Sequence, residues 1–383
     1  MDRNFFEENK LVYLPATLPS AELCINNDEP TAKQPHFWNK ETSIWYYPNL
    51  LISAYHADKI EDIRKLMGID KDVKILYDSG GYQMVTLGGN INPKDLIELQ
   101  LKNSNAGLIL DNPPFKIGLG NSQFGESMNE DEISICLNKT KENAKIAMAN
   151  NIGPNKIRLY GVVQGESWEQ INRWYDSMHE LEEEYGKFDA WAMSPKPSTI
   201  ALYGILLLER KIKTPIHFLQ ATSREAISTT AYIRKLSKNL ITIDSSNFSS
   251  GTRYGRIINY EHLGIFDIGE GKREKNKKGW FCDCPICRER KIDIENLSTT
   301  DLKYINIHNL YQIVKIVKVA DWLVDYSEVM FFNWIKKFKS SCTGAIKMLQ
   351  FYDKYGLERT KLNYSDIFTA NDNIVNQKGL FDF

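Results

Sequence analysis

Eight short apolar runs, separated by stretches with helical spacing, narrow the possible folds of this chain more than any other feature. They are Leu11 to Leu14, Asn49 to Ser53, Val73 to Tyr77, Gly107 to Leu110, Ile157 to Val163, Phe188 to Met193, Ile216 to Leu219 and Leu240 to Ile243. Runs of this length, rich in Val, Ile, Leu and aromatics, read as strands buried on both faces. Helices are expected between them at His56 to Met67, Pro93 to Lys102, Glu130 to Asn150, Ser167 to Tyr185, Ile200 to Arg210 and Ser223 to Lys238. Eight buried strands alternating with helices predict an α/β chain closed into a (β/α)8 TIM barrel rather than an open sheet. The link over 15–48 is long, polar and proline-containing, and fits this count least well. After residue 260 the pattern changes to a charged loop, a cysteine cluster and a mostly helical tail. The expected division is therefore a catalytic barrel over 1–260 and a smaller unit with C-terminal helices over 261–383.

A chain of 383 residues, 42% hydrophobic and 25% charged, accommodates one large barrel with an appendage. A run of eighteen apolar residues is absent, and the opening Met-Asp-Arg-Asn-Phe-Phe-Glu-Glu has no basic segment leading into an apolar stretch. The expectation is a soluble, cytoplasmic protein with no membrane partner. The formal net charge of −1 gives no global attraction for polyanions, so a nucleic-acid surface would have to be a local patch. Two stretches qualify: Lys272, Arg273, Lys275, Lys277 and Lys278, and Lys336, Lys337 and Lys339 with Trp334 and Phe338. Each reads equally as an ordinary solvated surface.

In a barrel of this kind the chemistry gathers at the carboxyl ends of the strands, where the loops converge on one mouth. Strand three ends in Asp78-Ser79-Gly80-Gly81-Tyr82-Gln83, strand four in Asp111-Asn112-Pro113-Pro114 and strand five in Gln164-Gly165-Glu166. Strand six ends in Met193-Ser194-Pro195, strand seven in Gln220-Ala221-Thr222 and strand eight in Asp244-Ser245-Ser246. A single strand-end aspartate is usually a cap or turn residue. Several at one opening point instead to a cationic or hydrogen-bond-donating partner, or to nucleophilic and acid–base work. The Gly80-Gly81 pair fits either close approach to a ligand or tight packing.

Three of the six cysteines, Cys282, Cys284 and Cys287, lie too close in sequence for unstrained mutual disulfides and suit a shared metal. With His308 they form a common structural zinc set, although His262 also lies near in sequence. A site filled by four protein ligands is structural rather than catalytic. Cys24, Cys136 and Cys342 are scattered and read as ordinary thiols of a reducing compartment.

Four segments together resemble the tRNA-guanine transglycosylase superfamily over about residues 49–315. They are Asp-Ser-Gly-Gly-Tyr-Gln at 78–83, Gly-Val-Val-Gln-Gly at 161–165, Cys-x-Cys-x-x-Cys at 282–287 and His-Asn-Leu at 308–310. The resemblance implies that Asp244 is the nucleophile at the sugar C1′ and that Asp78 is the general acid/base. It also implies that Asp111, Gln164 and the Gly165 amide hydrogen-bond the purine, that Tyr82 stacks on it and that Met193 closes the pocket. Cys282, Cys284, Cys287 and His308 would bind Zn2+.

Three departures from the family pattern bear on the substrate. The family's Gly-Arg-x-Gly lead into the first strand is absent. The strand-six turn, normally Gly-Gly-Leu-Ala-Val-Gly, is Trp191-Ala192-Met193-Ser194-Pro195-Lys196. The Cys-Val-x-Pro-Thr-Arg stretch after the nucleophile is replaced by 245–253. In these respects the chain looks more like the divergent DpdA-type branch, which inserts 7-deazaguanine bases into DNA. The resulting expectation is exchange of guanine for a preQ0-like base in DNA, with tRNA as the alternative polymer and a non-catalytic scaffold subunit as the further alternative. Arg253, Arg256, Lys272, Arg273 and Lys275 are the candidate nucleic-acid contacts. Accessory duplex-opening proteins and a homodimeric state are left open.

Overall fold

The computed structural model describes residues 10–17, 36–57, 60–115, 128–249, 256–259, 264–267, 282–292, 299–337 and 343–369. Eight parallel strands close a barrel: β1 (Leu11–Thr17), β2 (Asn49–Ser53), β3 (Lys74–Asp78), β4 (Ala106–Leu108), β5 (Arg158–Val163), β6 (Ala190–Met193), β7 (Ile216–Phe218) and β8 (Ile241–Ser245). Closure comes from β1 lying beside β8, in register from Leu11 opposite Ile241 to Pro15 opposite Ser245. Every residue of β2, β4, β6, β7 and β8 is buried, because the helices cover the outside of the barrel and side chains fill the inside. The (β/α)8 barrel expected from the rhythm of apolar runs is therefore the observed architecture.

Several helices begin at a side-chain cap where the loop leaves a strand's carboxyl end. Asn92, Ser167 and Ser223 accept from the amides of Lys94, Gln170 and Ala226, opening Pro93–Asn103, Trp168–His179 and Arg224–Ser237. Asn129 and Glu132 form a reciprocal capping box at the start of Glu130–Asn150. Two expected helices are interrupted. His56 to Met67 becomes Ala54–Ala57 and Ile63–Met67, because the Asp62 side chain takes the Lys65 amide and starts a new helix there. Ser167 to Tyr185 becomes Trp168–His179 and the single turn Glu182–Tyr185. A further helix, Gly81–Leu87, follows directly after β3.

Beyond β8, β9 (Arg256–Asn259) and β10 (Gly264–Asp267) form an antiparallel pair. The helix Thr299–Tyr326 packs along β1, β9 and Arg224–Ser237, and thus lies against the barrel wall where β8 meets β1. Leu310, Ile313, Val314 and Val317 join the same apolar core as the barrel strands. A buried ionic lock fixes that packing. Arg234 pairs through Nε with Asp321 at 2.9 Å and through a terminal nitrogen with Asp325 at 2.7 Å, while Asp321 also accepts from the Leu11 amide at 3.1 Å. A buried pair of this kind adds little net stability but penalises every other register, since a slipped helix would leave the Arg234 charge unpartnered. No helix among the described residues is long and apolar enough to cross a membrane.

Candidate active site

The carboxyl ends of β3, β4, β5 and β8 bring Asp78, Asp111, Gln164 and Asp244 to one mouth. Asp111 and Gln164 interact directly. Gln164 Nε2 donates to Asp111 Oδ2 at 2.6 Å, and the Ser79 hydroxyl donates to Asp111 Oδ1 at 2.7 Å. Ser79 in turn accepts from the Gly81 amide at 3.1 Å, so the turn after β3 is tied to the end of β4. Gly81 is required by this closeness: a Cβ there would stand 2.5 Å from the Asp111 carbonyl oxygen and 2.6 Å from its Oδ1. At Gly80, φ +79°, a Cβ would stand 2.8 Å from Tyr55 Cβ and 2.9 Å from its amide nitrogen, so both glycines serve packing.

The electrostatics follow from three carboxylates sharing one mouth, Asp111 and Asp244 buried and Asp78 half-buried. Asp78 is pushed up to about 7, first by burial and then by the charges of Asp111 and Asp244, with the Ser79 and Gly80 amides pulling against the shift. Burial also raises Asp111, opposed by its hydrogen bonds from Ser79 and Gln164. A carboxyl group held near neutrality can both give and take a proton at physiological pH, which neither an ordinary aspartate nor a lysine does well.

Asp244, 5% exposed, is held by its Oδ1, which accepts from the Gln220 amide at 2.8 Å. Gln220 makes that contact from a left-handed backbone, φ +54°, a strained conformation for a residue with a side chain. The second neighbour of Oδ1 is His217 of β7, fully buried, with Nε2 at 3.4 Å. The sequence marks Gln220 only as a strand-end residue and leaves His217 unremarked, since a lone histidine in Ile-His-Phe reads as core and the role of a backbone amide has no residue signature. Ser53, beside Asp78 in the β2–β3 register, was missed as well; its buried hydroxyl has no hydrogen-bond partner among the described residues.

The other expected site residues fall around this centre. Gly165 adopts φ +140° with no room for a Cβ, which would meet the Ile171 amide nitrogen at 2.8 Å, and its carbonyl accepts from the Tyr203 hydroxyl at 2.8 Å. Met193 ends β6, completely buried between Val163 and Phe218 on the adjacent strands. Tyr82 is 43% exposed on the helix after β3, its ring 5.3 Å from that of Phe115 in the loop after β4. Arg256 opens β9 and is half-buried, whereas Arg253, Lys272, Arg273 and Lys275 lie outside the described residues, as do Lys277, Lys278, His262, Cys24 and Cys342. Of the second basic stretch, Lys336 and Lys337 are exposed but Trp334 is buried against Phe331, leaving its ring unavailable as a stacking platform.

Cys282, Cys284, Cys287 and His308 converge, their ligand atoms all within 4.8 Å of one another, and together can hold a metal ion. His308 Nδ1 faces the three sulfurs at 3.6, 3.3 and 3.3 Å, while its Nε2 lies 2.8 Å from the Ile258 carbonyl. A proton on Nε2 serves that carbonyl and leaves the Nδ1 lone pair free for an ion, the usual arrangement behind a ligating histidine. Gln312 Nε2 donates to Cys282 Sγ at 3.4 Å, and the Cys287 amide to Cys284 Sγ at 3.3 Å. Next to His308, Asn309 donates to the carbonyls of Phe248 and Arg256 at 3.3 and 3.1 Å and accepts from the Ile258 amide at 2.8 Å. The helix carrying His308 thereby grips both ends of the segment that follows Asp244.

Comparison with known protein families and with curated proteins gives no match to this chain.

Proposed function

We propose that this chain is a nucleic-acid guanine transglycosylase, exchanging guanine for a 7-deazaguanine base of the preQ0 type through a covalent aspartyl-sugar intermediate, with DNA as its polymer. One observation carries the reading: Asp78, near neutrality, shares a buried mouth with Asp111 and Asp244, whose charges help keep it protonated. In the first step Asp244 Oδ2 forms a bond to C1′ while the C1′–N bond breaks, and the departing base nitrogen takes the Asp78 proton. In the second, the nitrogen of the entering base displaces the Asp244 carboxylate and returns its proton to Asp78. Two inversions retain the anomeric configuration. Asp111, Gln164 and the Gly165 amide present a hydrogen-bonding edge for a purine, Tyr82 a stacking face and Met193 an apolar wall. C1′ is accessible only once the nucleotide has left its stack, which favours single strands or opened duplex.

The closed Cys3His set suits zinc, which when bound would pin 282–287 to the helix carrying His308. The replaced stretch 245–253, where the family's tRNA enzymes read flanking bases, favours DNA over tRNA. Presence of both Asp78 and Asp244 weighs against a scaffold role. The test is incorporation of labelled guanine into single-stranded DNA, duplex DNA or tRNA. DNA should take up label, and Asp244→Ala should abolish uptake with far-UV circular dichroism and metal content unchanged. Label in tRNA alone reverses the choice of polymer. An active Asp244→Ala removes the nucleophile assignment, and no uptake into any polymer refutes the reading.

A further inference from the structure

The interior layers of a parallel barrel are normally filled by branched apolar side chains, yet the layer beneath Asp244 holds His217 and Thr242. These two residues lie opposite one another on β7 and β8. Both are buried, at 0% and 1% exposure. Two residues on from Thr242, Asp244 projects from the same face of β8, one layer nearer the mouth. Burying an imidazole costs free energy unless both nitrogens are served. Nδ1 has the Thr242 hydroxyl at 2.8 Å. Among the described residues Nε2 has only Asp244 Oδ1, at 3.4 Å and short of hydrogen-bond geometry.

The Asp244 carboxylate decides the tautomer. The 2.8 Å contact between His217 Nδ1 and the Thr242 hydroxyl forms with either as donor, the hydroxyl proton going to Nδ1 or to the Ile216 carbonyl at 3.4 Å, but an unprotonated Nε2 would set its lone pair against Asp244 Oδ1 at 3.4 Å. Nδ1 then accepts, and the imidazole proton sits on Nε2, aimed at Asp244. Oδ1 thus faces two donors, the Gln220 amide and the His217 ring, which leaves Oδ2 as the oxygen free to form a bond.

We infer that His217 is a positioning residue for Asp244: it holds Oδ1, selects Oδ2 as the bond-forming oxygen and stabilises the carboxylate when it departs. This rests on the transglycosylase reading above. When Oδ2 is esterified to C1′, Oδ1 is a carbonyl oxygen with little charge. When the entering base displaces the ester, the electron pair of the breaking C–O bond returns to the carboxylate, and charge reappears on Oδ1 in front of both donors. A donor that strengthens as charge develops accelerates that step. Without it, the carboxylate is a poorer leaving group and the covalent ester is favoured at equilibrium.

The experiment compares wild type, His217→Leu and His217→Gln, Gln being able to place an amide donor near the Nε2 position. Two quantities are read with single-stranded DNA: the rate of guanine exchange, and the fraction of protein carrying a polymer adduct on a denaturing gel. Leu should slow exchange roughly 10- to 100-fold, less than the loss of a well-formed oxyanion donor because the resting contact is long, while the adduct fraction rises. Gln should recover much of the rate. Exchange and adduct falling together in a folded Leu variant, or neither changing, overturns the role of His217 while the transglycosylase reading stands. A wild type that forms no adduct and exchanges no base with any polymer overturns both.

Discussion

Replacing Asp78 by asparagine should stabilise this protein at neutral and alkaline pH while removing its activity. The Asp78 carboxyl is raised from 3.8 to about 7, first by burial and then by the charges of Asp111 and Asp244. Below about pH 4 both folded and unfolded chains hold the proton, and the group costs nothing. Between about 4 and 7 the unfolded chain releases it while the folded chain retains it, so stability falls as pH rises. Above 7 the penalty levels off. Three pKa units at 1.36 kcal/mol each set a ceiling of about 4 kcal/mol, reached only if the half-buried group gains no extra water when it ionises. Asparagine keeps the shape, accepts from the Ser79 and Gly80 amides and carries no charge. Urea unfolding of the metal-loaded wild type and Asp78→Asn, from pH 4.5 to 8.5, should show nearly equal stabilities at the acid end. The variant should gain steadily up to pH 7 and hold a constant lead beyond it. A stability difference independent of pH, or a wild type that gains on the variant as pH rises, refutes the account of three carboxylates crowded into one mouth.

Gly81→Ala should lower stability by about 1–3 kcal/mol and weaken purine binding, because the new methyl meets the Asp111 carbonyl oxygen at 2.5 Å and its Oδ1 at 2.6 Å; thermal unfolding and base titration measure both, and a variant matching wild type in each shows that the turn yields freely. Cys284→Ala should lose the bound metal and expose 282–292 and the chain around β9 to protease, since His308 and Asn309 attach that region to the core. The barrel's far-UV signal should persist. Metal analysis and limited proteolysis read the two effects, and an unchanged cleavage pattern would remove the metal centre from the support of this segment.

Local pattern determined a good deal of this protein. Apolar runs of strand length, punctuated by helical stretches such as Glu130 to Asn150 and Ser223 to Lys238, specify an alternation of strands and helices, and strands buried on both faces leave few architectures besides a closed barrel. The crowding of Cys282, Cys284 and Cys287 likewise announces a cluster able to hold an ion, because thiols that near in sequence are near in space under any fold. Strand-end aspartates could be named one at a time, but their joint action could not: the shift of Asp78 depends on charges brought from β4 and β8 by closure of the barrel. His217 is the clearest case. In sequence it is a lone histidine between apolar neighbours, and only the register of β7 with β8 sets it below Asp244. The same reason explains Trp334, which a surface reading placed with lysines and packing turned inward, and Thr299–Tyr326, whose partners β1 and Arg234 lie far away in the chain. Periodicity of 2 or 3.6 residues is written in neighbouring positions, whereas the field at a carboxylate and the partner of a buried imidazole are set by non-local contacts that exist only once the barrel has closed.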